Sequence, residues 1–204
     1  MANLNRFGIK EVADVRFYAI KDGADASAKA AYEAVKGEIP VIEFDTLKVS
    51  NIESTAESTD ARGGKGNAAL ISWDYGREVT LTIEDALMSM ECLALLFEGG
   101  KDKVEDGITI NANTFPGTYT IVGKTFARNE TDGKDHLLTF VVPKAKIQSE
   151  TTLTMEAEGD PSVIGMTLKA LRCKNGDMVE LMREATAFET GSDIWAAEQT
   201  PVEG

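Results

Sequence analysis

The sequence predicts a mainly β fold: an antiparallel β-sandwich or barrel with one flanking α-helix at about residues 85–98. Three observations predict it. Beyond Lys101 the chain is a succession of segments rich in Thr, Val and Ile: DGITINAN, GTYTIVGKTFARN, HLLTFVVPKAKIQ, TTLTMEAE, VIGMTLKALRC and DMVELMREATAF. Short turn signals separate several of these segments, at Pro116-Gly117, the TDG ending at Gly133, Gly159 to Pro161, and Asn175-Gly176. Strands joined by such short turns run mostly antiparallel, and Asn-Gly between apolar runs signals a hairpin because both residues tolerate positive φ. Finally, helical spacing is clear in a single segment, EDALMSMECLALLFEGG.

Taken in order, Val12 to Ile20 and Ile39 to Val49 read as strands, the second with apolar Val41, Phe44, Leu47 and Val49 among charged residues. Between them KDGADASAKAAYEAVKGE favours a short helix from about Asp25 to Lys36, an insertion at about 22–37 whose alanines leave only a thin apolar face. ESTAESTDARGGKGN offers little to a core, so a long loop is expected at about 53–76. REVTLTIED alternates, with Val79, Leu81 and Ile83 on one face and Thr80 and Thr82 on the other. The helix follows: Leu87, Met90, Ala94 and Phe97 form a stripe with Leu93 beside it, Asp85 is the expected N-terminal cap, and Gly99-Gly100 the stop. A single domain is expected over 1–188. The remainder, 189–204, loses periodicity and reads as a tail whose Ile194 and Trp195 dock either on the parent domain or on a neighbouring subunit.

Composition narrows the function. In 204 residues, 21 Lys+Arg face 34 Asp+Glu, a formal net charge of −13, so the chain as a whole lacks the basic footprint of phosphate-driven nucleic-acid binding. Cys92 and Cys173 sit in apolar segments with no CxxC partner, which suits buried thiols in a reducing compartment. The start has no charged-then-apolar signal organisation and no apolar run approaches spanning length, so folding in cytoplasm without a membrane is expected.

Chemistry is sparse. Gly64-x-Gly66-x-x-Ala69, with Glu84 and Asp85 downstream, formally fits a dinucleotide fingerprint. The polar residues before it supply no buried strand, and the segment after it is short for a helix and carries Gly76. Gly66-Asn67 stands where a P-loop needs Gly-Lys-Ser/Thr. The one histidine, His136, reads as a strand-edge residue, and no calcium-loop spacing or Gly-x-Ser-x-Gly turn occurs. No catalytic residue, cofactor or metal ligand is therefore expected.

VIEFDTLKVSNIESTAESTDARGGKGNAALISWDYGREVTLTIEDALMS resembles the tail tube (major tail) proteins of tailed bacteriophages, especially of long contractile-tailed phages of Gram-positive hosts. EAEGDPSVIGMTLKALRCKNGDMVELMR is similar to the closing segment of many such proteins, and the resemblance spans about Ile39 to Met182. It implies a tail-tube-like sandwich or barrel with a flanking helix, a virion protein assembled in the host cytoplasm. Six copies would form a ring, and stacked rings a tube that guides genome and tape-measure protein during ejection, with a tail sheath outside in some phages. DNA would pass through without specific binding. Arg62, Gly63, Gly64, Lys65 and Gly66 are the expected inter-subunit contact, since Arg62 and Lys65 are basic points on an acidic chain, joined by Ile194 and Trp195. Two other classes stay open: a carbohydrate-binding or virion-decorating β-sandwich with Trp73, Tyr75 and Tyr119 as an aromatic platform, and a nucleotide- or carboxylate-dependent enzyme.

Overall fold

Two long strands, β6 (Thr118–Asn129) and β7 (Asp135–Ile147), are buried almost end to end because apolar residues occupy both parities of their sequences, so the hairpin they form is covered on both faces. The computed structural model describes residues 6–9, 14–87, 89–97, 107–110, 112–131, 133–148, 164–187 and 193–195. Around the central pair lie β1 (Phe7–Ile9), β2 (Asp14–Ala19), α1 (Ala28–Val35), β3 (Ile42–Phe44), β4 (Leu47–Gly63), β5 (Ala68–Asp85), α2 (Met90–Phe97), β8 (Ile164–Ala170) and β9 (Glu180–Ala187). The strands make one antiparallel sheet in the order β3-β2-β6-β7-β8-β5-β4, with β1 added to β6 and β9 to β7.

The sheet curls over itself. Val15 and Phe17 of β2 and Phe44 of β3 share one buried cluster with Leu81 and Ile83 of β5, although these strands stand far apart in the sheet order. Cys92, Leu95 and Leu96 of α2 fill the concave side, and Phe17 meets Phe44 at 5.3 Å between ring centroids. Each large apolar side chain buried this way contributes about 1.5–3 kcal/mol. The convex face carries a smaller cluster, in which Tyr18, Val122 and Val141 of the sheet meet Ala31 and Val35 of α1. That helix lies at about the position expected for the insertion, on a stripe as thin as its alanines implied.

Pro143 organises the outer edge of β7. Proline has no N–H to give the ladder, and the β6–β7 register shifts beside it, Tyr119 facing Ala145 while Ile121 faces Val142. Thr120 Oγ1 donates to the Pro143 carbonyl at 2.9 Å. On the other edge β9 covers His136 to Val141 and β8 covers Ala145 to Ile147. The Asn175-Gly176 signal consequently does not make a hairpin between β8 and β9, which both pair with β7. It closes an excursion between them that caps α1: Lys174 N donates to Asp25 O at 2.9 Å, and Ala28 N donates to Asp177 Oδ2 at 3.1 Å beside Ala30 N to Ser27 Oγ at 3.0 Å.

Other expectations are corrected. The stretch expected as a long loop at about 53–76 is most of a β-hairpin, β4 with β5. The expected strand at Ile39 to Val49 breaks at Asp45-Thr46 into β3 and the start of β4. In DGITINAN, residues 107–110 and 112–113 carry no strand, and Ile110 is exposed. The flanking helix is shorter than 85–98, and its cap is Ser89, whose Oγ accepts from Cys92 N at 3.0 Å. Asp85 ends β5 instead, accepting from Thr46 Oγ1 and Leu87 N. TTLTMEAE, the Gly159–Pro161 turn, Gly99-Gly100 and all of 189–204 except 193–195 lie outside the described residues.

Two outcomes test this packing. Gly123 faces Phe140 across the hairpin, and a Cβ there would overlap the ring; Gly123→Ala should lower the urea midpoint by the equivalent of about 1–3 kcal/mol. Asp177 is held below the ordinary carboxylate range, first by its hydrogen bond from Asn175 and then by that from Ala28 N. A depressed pKa contributes stability above the unfolded pKa and loses it as pH falls through the folded one. The Tm gap between the native chain and Asp177→Ala should thus be constant above about pH 5 and shrink below about pH 4.

Candidate assembly site

The β4–β5 hairpin is half core and half arm. Thr80 to Asp85 pair with β8 on one edge and β4 on the other, and Val79, Leu81 and Ile83 point inward. From Val79 toward the tip β5 has only β4 beside it among the described residues, and residues 64–77 are exposed throughout. At the junction the register slips, Thr55 facing Glu78 but Glu57 facing Tyr75, with Gly76 at φ 63°. A left-handed glycine is the usual pivot of such a bulge. The tip is a tight turn in which Gly64, Gly66 and Asn67 all take positive φ and Asn67 N donates to Gly64 O at 3.2 Å. The glycines therefore serve a reversal between antiparallel strands, with no helix following to receive a phosphate.

Register places Ile71, Trp73 and Tyr75 on one face of the arm, opposite Ala61, Thr59 and Glu57. These side chains are 55%, 52% and 53% exposed, an apolar stripe of the kind that marks an interaction site. Of the expected contact residues, Arg62 and Gly63 end β4 while Gly64, Lys65 and Gly66 form the turn, so the structure gathers all five at the arm's tip. Arg62 is engaged within the arm, Nη2 donating to Asp60 Oδ2 at 2.7 Å, whereas Lys65 has no ion-pair partner among the described residues. The proposed aromatic platform does not form as a trio, because Tyr119 is buried against Phe17 in the core.

Ile194 and Trp195 are not beside the tip. Trp195 is 3% exposed, seated on the convex face of its own domain with Arg16 Cζ 4.0 Å and Lys124 Nζ 4.5 Å from its ring. Lys124, itself buried, donates to the Ile194 carbonyl at 3.2 Å. Of the two docking expectations for this pair, the structure shows the parent domain.

A second surface had no sequence signal. At the open end of the curl, β1, β4, β6, β7 and β9 enclose a cavity of about 590 Å³ walled by Phe7, Ile9, Ile52, Leu138, Phe140 and Leu181. Arg183 also lines it, with one terminal guanidinium nitrogen buried and unpartnered and its Cζ 5.8 Å from the Phe7 ring centroid. Its lining residues come from five strands and share no local motif, so spacing alone does not reveal them.

Groups with catalytic potential are absorbed into structure. His136 is not an edge residue: it is 4% exposed, paired with Ala127 and Ala187, with Nδ1 3.1 Å from the Glu184 carbonyl. No cluster of metal-ligating side chains occurs among the described residues. Burial, with a smaller contribution from Asp85, pushes the Cys92 thiol up to about 12. A thiol so placed carries almost no thiolate at pH 8. Neither Cys92 nor Cys173 should react with an aromatic disulfide reagent on the timescale of seconds in the folded chain, both titrating on denaturation.

Comparison with curated proteins gave no match. The model of the YomU/Tube protein family matches residues 7–102 and 100–181, from β1 through the arm and α2 to the start of β9. A curled antiparallel sheet with an outlying hairpin, matched over most of its length, places this chain in the YomU/Tube protein family, a family of bacteriophage tail tube proteins.

Proposed function

We propose that the chain is the repeating subunit of a phage tail tube, six copies closing into a ring and rings stacking into the conduit through which the genome leaves the virion. The observation that carries this reading is the arm, a ribbon held outside the body with an exposed apolar stripe and the basic tip residue Lys65. A two-stranded ribbon is marginal alone, and an apolar stripe in water is a liability; contact with another copy relieves both. Among the described residues the sheet also ends in unpaired edges, β3 on one side and β4, 17 residues long, on the other. Edges of this kind favour pairing between chains, and a heterologous contact repeated around an axis closes a ring.

The role is binding, with no bond made or broken. A net charge of −13 suits a conduit that lets phosphates slide past without holding them. The tape-measure protein inside the tube, and a sheath outside it in contractile tails, are the further partners of this reading, which also places assembly in the host cytoplasm.

Negative-stain microscopy and sedimentation of the purified chain should show hollow tubes or six-fold rings; a strict monomer at high concentration would refute the proposal. The tip contact has its own test. Replacing Arg62 and Lys65 together by Glu should abolish tube growth while leaving the circular dichroism of the monomer unchanged, and unaltered tubes would remove the tip from the interface.

A further inference from the structure

The tube reading leaves open what the arm touches, and the chain itself supplies a candidate. We propose that the arm of one copy seats in the mouth of the curl of a neighbouring copy, with Trp73 and Tyr75 in the cavity and Glu57 paired with Arg183. This rests on the self-assembly reading and specifies its contact.

Neither half has an occupant among the described residues. The arm shows Trp73 and Tyr75 at 52% and 53% exposure, and the mouth shows Ile9 and Leu181 at 62% and 63%. Covering one with the other removes apolar surface from water on both sides, at about 25 cal/mol per Å². The cavity, about 590 Å³, lies within the range, about 300–1,000 Å³, of clefts that enclose a small ligand.

The charges select an orientation. Arg183 places a buried nitrogen without an acceptor, the costly half of an incomplete pair, at a mouth that Ser50, Asn51 and Thr125 line together with the apolar side chains. On the stripe face of the arm Glu57 lies directly opposite Tyr75, so a strand that inserts the ring brings a carboxylate with it. Glu57 makes no ion pair among the described residues, unlike Asp60, which Arg62 occupies on the other face of the ribbon. A guanidinium–carboxylate pair formed in this partly desolvated setting gives direction as well as affinity.

Each copy carries one arm and one mouth at different places, so the contact is heterologous and leaves a free arm and a free mouth after every addition. It therefore propagates, either closing a ring or linking one ring to the next. A second copy of this chain is the occupant the charges and apolar surfaces fit.

The test uses the full-length chain with cysteines introduced one per variant, Tyr75→Cys in one and Leu181→Cys in the other. Under mild oxidation the mixture should give an interchain disulfide dimer that neither variant forms alone, the native Cys92 and Cys173 being buried. A charge exchange provides the second arm of the experiment. Arg183→Glu and Glu57→Lys should each raise the concentration needed for assembly by at least about tenfold, and the double exchange should restore it, with folding followed by circular dichroism. Tubes that form without the cross-link, or a double exchange that restores nothing, overturn the arm-in-mouth contact and leave the tube reading standing. A native chain that stays monomeric removes both.

Discussion

Pro143 cannot donate a hydrogen bond, and the sheet is organised around that gap. A strand buried on both faces must pair its backbone groups with neighbours, because water is not there to do it. Strand β7 meets this demand with β6 along one edge and with two separate strands along the other, β9 before the proline and β8 after it. At the gap Thr120 Oγ1 takes up the Pro143 carbonyl and Leu171 N takes up that of Lys144. The chain uses the interruption between β8 and β9 to reach across the convex face and cap α1. Pro143 thus stands where the outer strands divide, β9 before it and β8 after it, and the excursion between those strands is the one that caps α1.

The core was legible in the sequence to the extent that burial imposes a period. Val79, Leu81 and Ile83 alternate because one face of β5 packs on α2 and β2, and β6 and β7 read as apolar on both parities because both their faces are covered. Where burial fails the signal fails as well. The arm is exposed on both faces, so its pairing is a matter of backbone alone, and Glu53 to Asn67 looked like a loop. The trace it did leave is the alternation Ile71, Trp73, Tyr75, an apolar period with no interior to serve. Asn175-Gly176 misled for a different reason: its turn exists, but the flanking strands pair elsewhere, β8 chiefly with β5 and β9 with β7. His136 was placed at an edge because a turn precedes it; only the tertiary pairing with β9 buries it.

The match to the YomU/Tube protein family runs through the whole of the arm. The two surfaces outside the core differ in kind. The Trp195 seat is filled from within the chain by cation–π contacts with Arg16 and Lys124, whereas the apolar stripe of the arm and the mouth have no occupant among the described residues. An overall charge of −13 adds a repulsion between copies that salt screens beyond about 10 Å.

The bulge at Gly76 has a mechanical meaning. It lies where the ribbon leaves the body, and the run from there to the tip is about 30 Å long at about 3.3 Å per residue, so a pivot of about 10° at the glycine carries the tip some ~5 Å. A stiff body joined to a lever of that length turns small angular changes into large displacements at its end. Filaments made of such parts bend by sharing curvature among many pivots, while each hydrogen-bonded sheet keeps its shape.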